Sequence, residues 1–341
     1  MKRMLKLEIK RHGPLTLALS IIFMVLSVVN ICFGFLAIFE ATLENTYLAL
    51  SMNTILLTGF LAFYELQFKM KKVGVDQMYS LPLKKEKIYL GKFLAGYGTF
   101  FVAFTCSFVA AALSICAFGD FSFKYLIFLY LSNLLMGLLF YGLIFFIVYA
   151  QNTLVDAIFN VLMFLLLFAL GISAINKVTD HLFQFHFISR WSLDEISFFP
   201  FGFILLLNQY FTLGLAGMNS SSMNERNALG RNGLISAIFY IIIFVIFVFV
   251  FLYKLKKDKP EKVNQISDSY FSYRIMIPFI IITSFLNIFY INAFTYLLFL
   301  LLAYLLYVMY QRKLKLNRRS WIMMGVIALI NLITVILFYN E

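Results

Sequence analysis

The chain has 341 residues, of which 62% are hydrophobic, 19% aromatic and only 13% charged. That polar fraction cannot cover a soluble domain, so the composition excludes a water-soluble globular protein and predicts an all-α integral membrane protein. A formal net charge of +12 would suggest nucleic acid in a soluble chain, but here the basic residues fall in the gaps between apolar runs. That placement points to membrane orientation and anionic headgroups, with no nucleic-acid partner.

Residues 1–13 set Lys2, Arg3, Lys6, Lys10 and Arg11 against Met4, Leu5, Leu7 and Ile9. This predicts a loosely amphipathic cytoplasmic segment lying in the inner headgroup layer. His12, beside Gly13-Pro14, reads as a turn residue. The apolar run Leu15–Phe39 is too long for a signal core and lacks a small-residue cleavage site, so it is the first span. An acidic turn with Glu40 and Glu44 leads to a second span, Tyr47–Phe68.

Asp76 to Phe93 is the longest polar interruption of the apolar first half. Proline fixes its own φ, disfavours helix for the residue before it and suits the first turn of a new one, so Ser80-Leu81-Pro82 predicts a break with a helix restarting near Leu83. Lys84, Lys85 and Lys87 then face water and Ile88 faces inward. From Lys92 the chain returns to apolar sequence, with a third span over Phe93–Phe118 and a fourth over Tyr125–Ala150. Gln151-Asn152-Thr153 is a tight turn before a fifth span, Leu154–Ile175. A sixth, Leu234–Tyr253, is almost wholly β-branched and aromatic, which in lipid is still helical because an open strand leaves its backbone unsatisfied. Ile275–Tyr290, Asn292–Tyr310 and Trp321–Tyr339 bring the candidate spans to nine.

Orientation follows from the basic residues. With the N-terminus inside, the inner segments hold 23 of the 28 lysines and arginines, which places the C-terminus outside. The same bias decides Phe198–Gly217, which is apolar enough to span. Making it a span would put the clusters at 254–274 and 312–319 outside. It is therefore read as a re-entrant or interfacial helix, entered through Pro200 and interrupted by Asn208 and Gln209, in an outer loop over 176–233.

The Leu81-Pro82-Leu83 step, the basic cluster with Lys85, then Ile88 and Gly91-Lys92-Phe93-Leu94 opening a span, together resemble the coupling helix of ABC exporter permeases of the second, O-antigen-like type. Lys84 stands where that family usually has a Ser or Thr helix cap. The resemblance implies a six-span permease core over 14–254, with a coupling helix at 76–92 and small outer helices at 176–233. About three further C-terminal spans follow a basic linker, over 255–341. It implies that Asp76, Tyr79, Ser80, Leu81, Pro82, Leu83, Lys84, Lys85, Glu86 and Ile88 contact a separate ABC ATPase, which would hold the ATP and Mg. It also implies a dimer with a second permease copy or paralogue in a bacterial cell membrane. The added spans and the run Ser272-Tyr273-Arg274 through Pro278 resemble the Gram-positive branch that includes the staphylococcal phenol-soluble-modulin exporter.

The residues themselves assemble no catalytic set. A phosphate-binding loop fails, because Gly91-Lys92 is followed by Phe93 and Glu86 stands where the first glycine belongs. His181 and His186, five apart, fit one helical face poorly and gain no carboxylate or cysteine, so no metal site is expected. Cys32, Cys106 and Cys116 lie in apolar runs, with the last two ~15 Å apart by helical rise, too far to bridge. Only Glu65 and Asp156 approach a span, both near its inner end, and both are expected to snorkel. With no buried charge expected, ion coupling lacks its usual residues. Energy then comes from a partner, which agrees with a non-catalytic permease subunit.

Scattered Ser, Thr and Asn in the spans read mostly as packing positions, and Gly96, Gly98, Gly137 and Gly142 as sites of close helix contact. A weakly polar, phenylalanine-rich path suits an amphipathic peptide, cytolytic or antimicrobial. The alternatives are a lipid, a cell-wall precursor or a membrane-active antibiotic. A membrane sensor or scaffold using the same ATPase is the rival of another class.

Overall fold

The computed structural model describes residues 2–38, 43–80, 84–118, 123–183, 238, 241–253, 255, 273–288, 292–311 and 313–338. Among them the regular structure is helical throughout and contains no strand. The helices are α1 (Lys2–Ile38), α2 (Leu43–Leu66), a 3₁₀ turn (Gln67–Met70), α3 (Lys72–Tyr79), α4 (Lys85–Phe118), α5 (Phe123–Tyr149) and α6 (Leu154–Phe183). They continue with α7 (Ile241–Tyr253), α8 (Tyr273–Leu286), α9 (Ala293–Gln311) and α10 (Arg318–Phe338). Among the described residues, five stretches are long and apolar enough to cross a membrane: Lys10–Asn30, Lys85–Ser114, Leu126–Tyr149, Ala293–Gln311 and Arg318–Leu337.

Two local differences from the sequence reading have clear causes. α1 runs unbroken from Lys2 through Gly13 and Pro14, so the basic segment and the first apolar run form one helix. Proline removes a single helical donor, that to the Lys10 carbonyl, and the Thr16 hydroxyl bonds the His12 carbonyl at 2.8 Å at the same turn. α6 continues past Ile175 to Phe183, taking up the start of the expected outer loop. The segment Phe198–Gly217 lies outside the described residues.

The chain divides into two compact units. The first comprises Met1–Tyr149 and Pro200–Val263, the second Ala150–Phe199 and Asn264–Glu341. In the first, α1 lies along α4, and α2 packs on α5 and α4. Its outer faces are apolar, and its interior sets a few polar groups among buried side chains such as Leu61, Phe100 and Phe104. Leu17, Ile21, Val25, Leu56, Leu131 and Leu135 are exposed, whereas Ser27, Asn53, Thr54, Ser107 and Asn133 are buried. The buried polar groups bond to one another. Ser27 Oγ and Ser107 Oγ are 2.6 Å apart, and Asn53 Nδ2 donates to Ser27 Oγ at 2.7 Å and to Ser107 Oγ at 3.3 Å. Thr54 donates to Asn133 Oδ1 at 3.3 Å. These bonds stitch α1, α2, α4 and α5, each for roughly 0.6–2 kcal/mol in an apolar surround. They make Ser27, Asn53, Thr54 and Asn133 packing positions between helices.

In the second unit α6, α9 and α10 all pack on α8, around Ile277, Ile281, Ala303, Tyr307 and Ile327. Thr153 opens α6: its hydroxyl oxygen accepts the Asp156 N–H at 3.2 Å, and its carbonyl accepts the Ala157 N–H at 3.1 Å. Asn287, at the end of α8, accepts a bond from Ser173 at 2.6 Å and donates to the Leu170 carbonyl at 3.0 Å. Lys177 donates to the Ile288 carbonyl at 2.8 Å, a cation where the helix dipole favours one.

Candidate functional site

α3 is an eight-residue helix set at the junction of α2 and α4. Its N-terminal half lies hard against the preceding 3₁₀ turn: a β-carbon on Gly74 would fall 2.7 Å from the Phe68 carbonyl oxygen, so only glycine allows the two backbones to meet. Val75 points inward, while Val73, Asp76 and Gln77 are exposed. The helix ends at Tyr79. Ser80 closes it, its N–H bonding the Asp76 carbonyl at 3.1 Å and its hydroxyl the Gln77 carbonyl at 2.8 Å.

α4 begins at Lys85, and the Lys84 carbonyl accepts the N–H groups of Lys87 (2.9 Å) and Ile88 (3.3 Å). Lys84 thus starts the helix through its backbone, with no side-chain cap of the Ser/Thr kind. Glu86 sits in the first turn, where a negative charge meets the positive end of the helix. Lys84, Glu86 and Lys87 are exposed, Lys85 is half-buried and Ile88 is fully buried. Of the ten residues the sequence singles out, Leu81, Pro82 and Leu83 lie outside the described residues, as does the side chain of Tyr79. His186 and the side chain of His181 lie outside them too.

The elbow is anchored by aromatic contacts. Tyr89 packs edge-on against Tyr149 with centroids 4.7 Å apart, and Phe68 lies 5.8 Å from Tyr89. The Lys69 ammonium, itself buried, bonds the Tyr149 carbonyl at the C-terminus of α5 and lies 4.0 Å above that tyrosine's ring.

Beside this anchor lies a group that the sequence reading does not anticipate. Glu8 and His12 on α1, Glu65 at the end of α2 and Lys92 on α4 are all buried, at 6%, 2%, 1% and 4% exposure. Lys92 Nζ is 3.0 Å from Glu8 Oε2 and 3.7 Å from Glu65 Oε2; His12 Nε2 is 3.1 Å from Glu65 Oε1 and 3.6 Å from Glu8 Oε2. The cation between the two carboxylates is the Lys92 ammonium, so the group is an ion-pair network. Phe68 lies under Lys92 at 5.5 Å, and Tyr64 meets the His12 ring edge-on at 5.5 Å. At Glu8, burial alone raises the carboxyl pKa; the facing His12 and Lys92 and the nearby Arg11 outweigh it and lower the value to about 2.

Three expectations are therefore corrected. Glu65 does not snorkel; it is sealed between α1, α2 and α4 and paired there. His12 is not a turn residue but part of a continuous helix. Buried charge is present, and the reason is cooperative. A lone ion in an apolar bundle is expelled, but two carboxylates, an ammonium and an imidazole from three helices compensate one another. The sequence signals were Glu8 and His12 four apart on one helical face, and Lys92 two turns into α4.

Compared with protein-family models, with curated proteins and with solved structures, the chain matches none. The resemblance therefore rests on the local pattern around the elbow.

Proposed function

We propose that the chain is the membrane-spanning subunit of an ATP-driven exporter of the ABC type, moved by a separate ATPase that grips the elbow. The observation that carries this reading is the form of the α3–α4 junction. A short helix displays Val73, Asp76 and Gln77, the start of the next displays Lys84, Glu86 and Lys87, and Val75, Ile88, Tyr89 and Lys69 fasten both to the bundle. A surface with mixed charge and an apolar spot, on a rigidly mounted helix, suits reception of a mechanical push. The chain would work with a second copy or paralogue in a bacterial cell membrane, N-terminus inside, and bind neither ATP nor Mg itself. The substrate class that best suits phenylalanine-rich, weakly polar helices is an amphipathic peptide, as in the branch whose pattern residues 272–278 resemble.

The test is co-expression with an ABC ATPase, sought among the neighbouring genes. The double variant Lys84→Glu/Lys85→Glu is expected to insert normally and lose the ATPase on purification. Undiminished co-purification overturns the elbow assignment. In vesicles, ATP-dependent movement of an amphipathic helical peptide supports export, and ATP hydrolysis stimulated by that peptide without movement assigns the chain to the sensor class.

A further inference from the structure

The turn that joins α9 to α10 is held from within. Leu316 is buried in the core of its unit with Tyr307 and Ile327. The buried Gln311 ties the two ends of the turn: its Nε2 donates to the Ser320 hydroxyl, and its Oε1 accepts the Asn317 N–H at 3.4 Å. The Tyr304 hydroxyl donates to the Leu314 carbonyl at 3.0 Å. The Asn317 carbonyl accepts the N–H groups of Ser320 (2.9 Å) and Trp321 (3.1 Å), which starts α10. The residues between these ties therefore face outward at fixed places.

Lys313, Lys315, Arg318 and Arg319 are all exposed there. Among the described residues none of the four is in an ion pair, and the sequence from 269 to 340 holds no aspartate or glutamate. The two arginines open α10, where the helix dipole disfavours a cation and no acidic residue of the first turn offsets it. The chain thus gives these charges no anion of its own. Apolar side chains stand among them: Leu314 is 79% exposed and Met309 74%, with Trp321 and Ile322 exposed on the first turns of α10. Orientation in the membrane needs only the number of cations, neither a fixed turn nor an apolar tip. A soluble anion would meet the charges and leave the leucine and tryptophan in water. A phospholipid offers phosphate to the one set and acyl chain to the other, and tryptophan favours that boundary.

We propose that the α9–α10 turn is a binding site for anionic phospholipid, with Lys313, Lys315, Arg318 and Arg319 on the headgroup phosphate and Leu314 and Trp321 at the ends of the acyl chains. Each cation near a negatively charged leaflet adds to the attraction, and the stems of lysine and arginine can lie along the lipid while their heads stay at the phosphates. The contact would seat the hairpin of α9 and α10 at one depth in the membrane and make that seat depend on the charge of the leaflet.

The experiment uses the full chain in lipid nanodiscs, carrying Trp191→Phe so that Trp321 is the sole tryptophan. The discs are phosphatidylcholine with an equal mole fraction of either phosphatidylglycerol or phosphatidylcholine brominated on its acyl chains. Bromine quenches only a tryptophan in contact with those chains, so the ratio of quenching reports which lipid surrounds Trp321. The expected result is an enrichment of phosphatidylglycerol of roughly threefold or more at about 0.1 M salt, shrinking at about 0.5 M as the charges are screened. Replacing Lys313, Lys315, Arg318 and Arg319 by Gln, together with Arg312, the other cation of this run in the sequence, should bring the ratio to one. Lys313→Arg with Lys315→Arg should keep it. Both leaflets have the same composition, so the ratio does not depend on which way the chain inserts. Equal quenching by the two lipids in the chain with its turn intact overturns the proposal, whether or not the variants fold. A preference that survives loss of the charges overturns it as well. So does a preference erased by millimolar inorganic phosphate at constant ionic strength, which would make the ligand a soluble phosphate.

Discussion

Gly96 and Tyr141 meet so closely that a β-carbon on the glycine would lie 2.1 Å from the phenol oxygen, and 2.9 Å from Cγ of Glu65. Gly98, two residues on, has nothing within 4 Å. Gly96→Ala must push aside a fully buried tyrosine, at a cost of roughly 1–3 kcal/mol of overpacking. Gly98→Ala should leave stability unchanged within ~0.5 kcal/mol or raise it slightly, since alanine is the better helix former. Thermal unfolding in detergent compares the two, and equal losses would contradict the close contact.

Gly74 poses the same constraint between backbones. Because the obstruction is the Phe68 carbonyl and not a flexible side chain, Gly74→Ala should lift α3 off the 3₁₀ turn. Global stability should fall by only about 1 kcal/mol, since few apolar contacts are lost from so short a helix. Limited proteolysis should cut near residue 74 earlier, and ATPase co-purification should drop. An unaltered digestion pattern would show that the turn absorbs the methyl group.

Asn53 donates to both Ser27 and Ser107, while those two hydroxyls still bond each other without it. Asn53→Leu should therefore cost about 1–2 kcal/mol, the worth of one or two interhelical bonds in an apolar bundle. Ser114→Ala removes a bond made only to its own helix, to the Ala110 carbonyl, and serves as the control. A double-mutant cycle of Asn53→Leu with Ser107→Ala measures the coupling, and strict additivity would dissolve the network.

Glu8 sets an acid limit. Its folded pKa of about 2 lies below the ordinary 4.5, so the ionised carboxylate favours the folded state. That contribution is complete above about pH 4.5 and is lost as pH falls toward 2. The stability difference between the parent chain and Glu8→Gln should be constant above about pH 5 and shrink below pH 4. A difference that persists undiminished at pH 2.5 would mean that Glu8 acts by shape alone.

How much of this was legible beforehand differs from element to element. The long apolar runs became helices because no other structure satisfies a backbone in lipid, and the polar stretch at Ser80 ended one helix before Lys85 began another. Ile88 pointed inward as its place in the pattern required. The ion network stayed hidden because hydropathy scores each charge by its own position. Glu8 and His12 fell in a segment read as lying on the membrane surface, and Glu65 near a span end where a lone carboxylate reaches water. What buries them is the meeting of three helices whose charges are 27 to 84 positions apart in the chain, and periodicity carries no such information. The run of α1 through Pro14 hid it further, since a break there would have turned His12 away.

Lys69 reaches past its own turn to hold the last carbonyl of α5. α3 thus cannot behave as a loose flap on a tether. Any torque applied to it is delivered at two points, down α4 through Tyr89 and to the foot of α5 through this one ammonium, so a machine gripping α3 would lever two shafts in step.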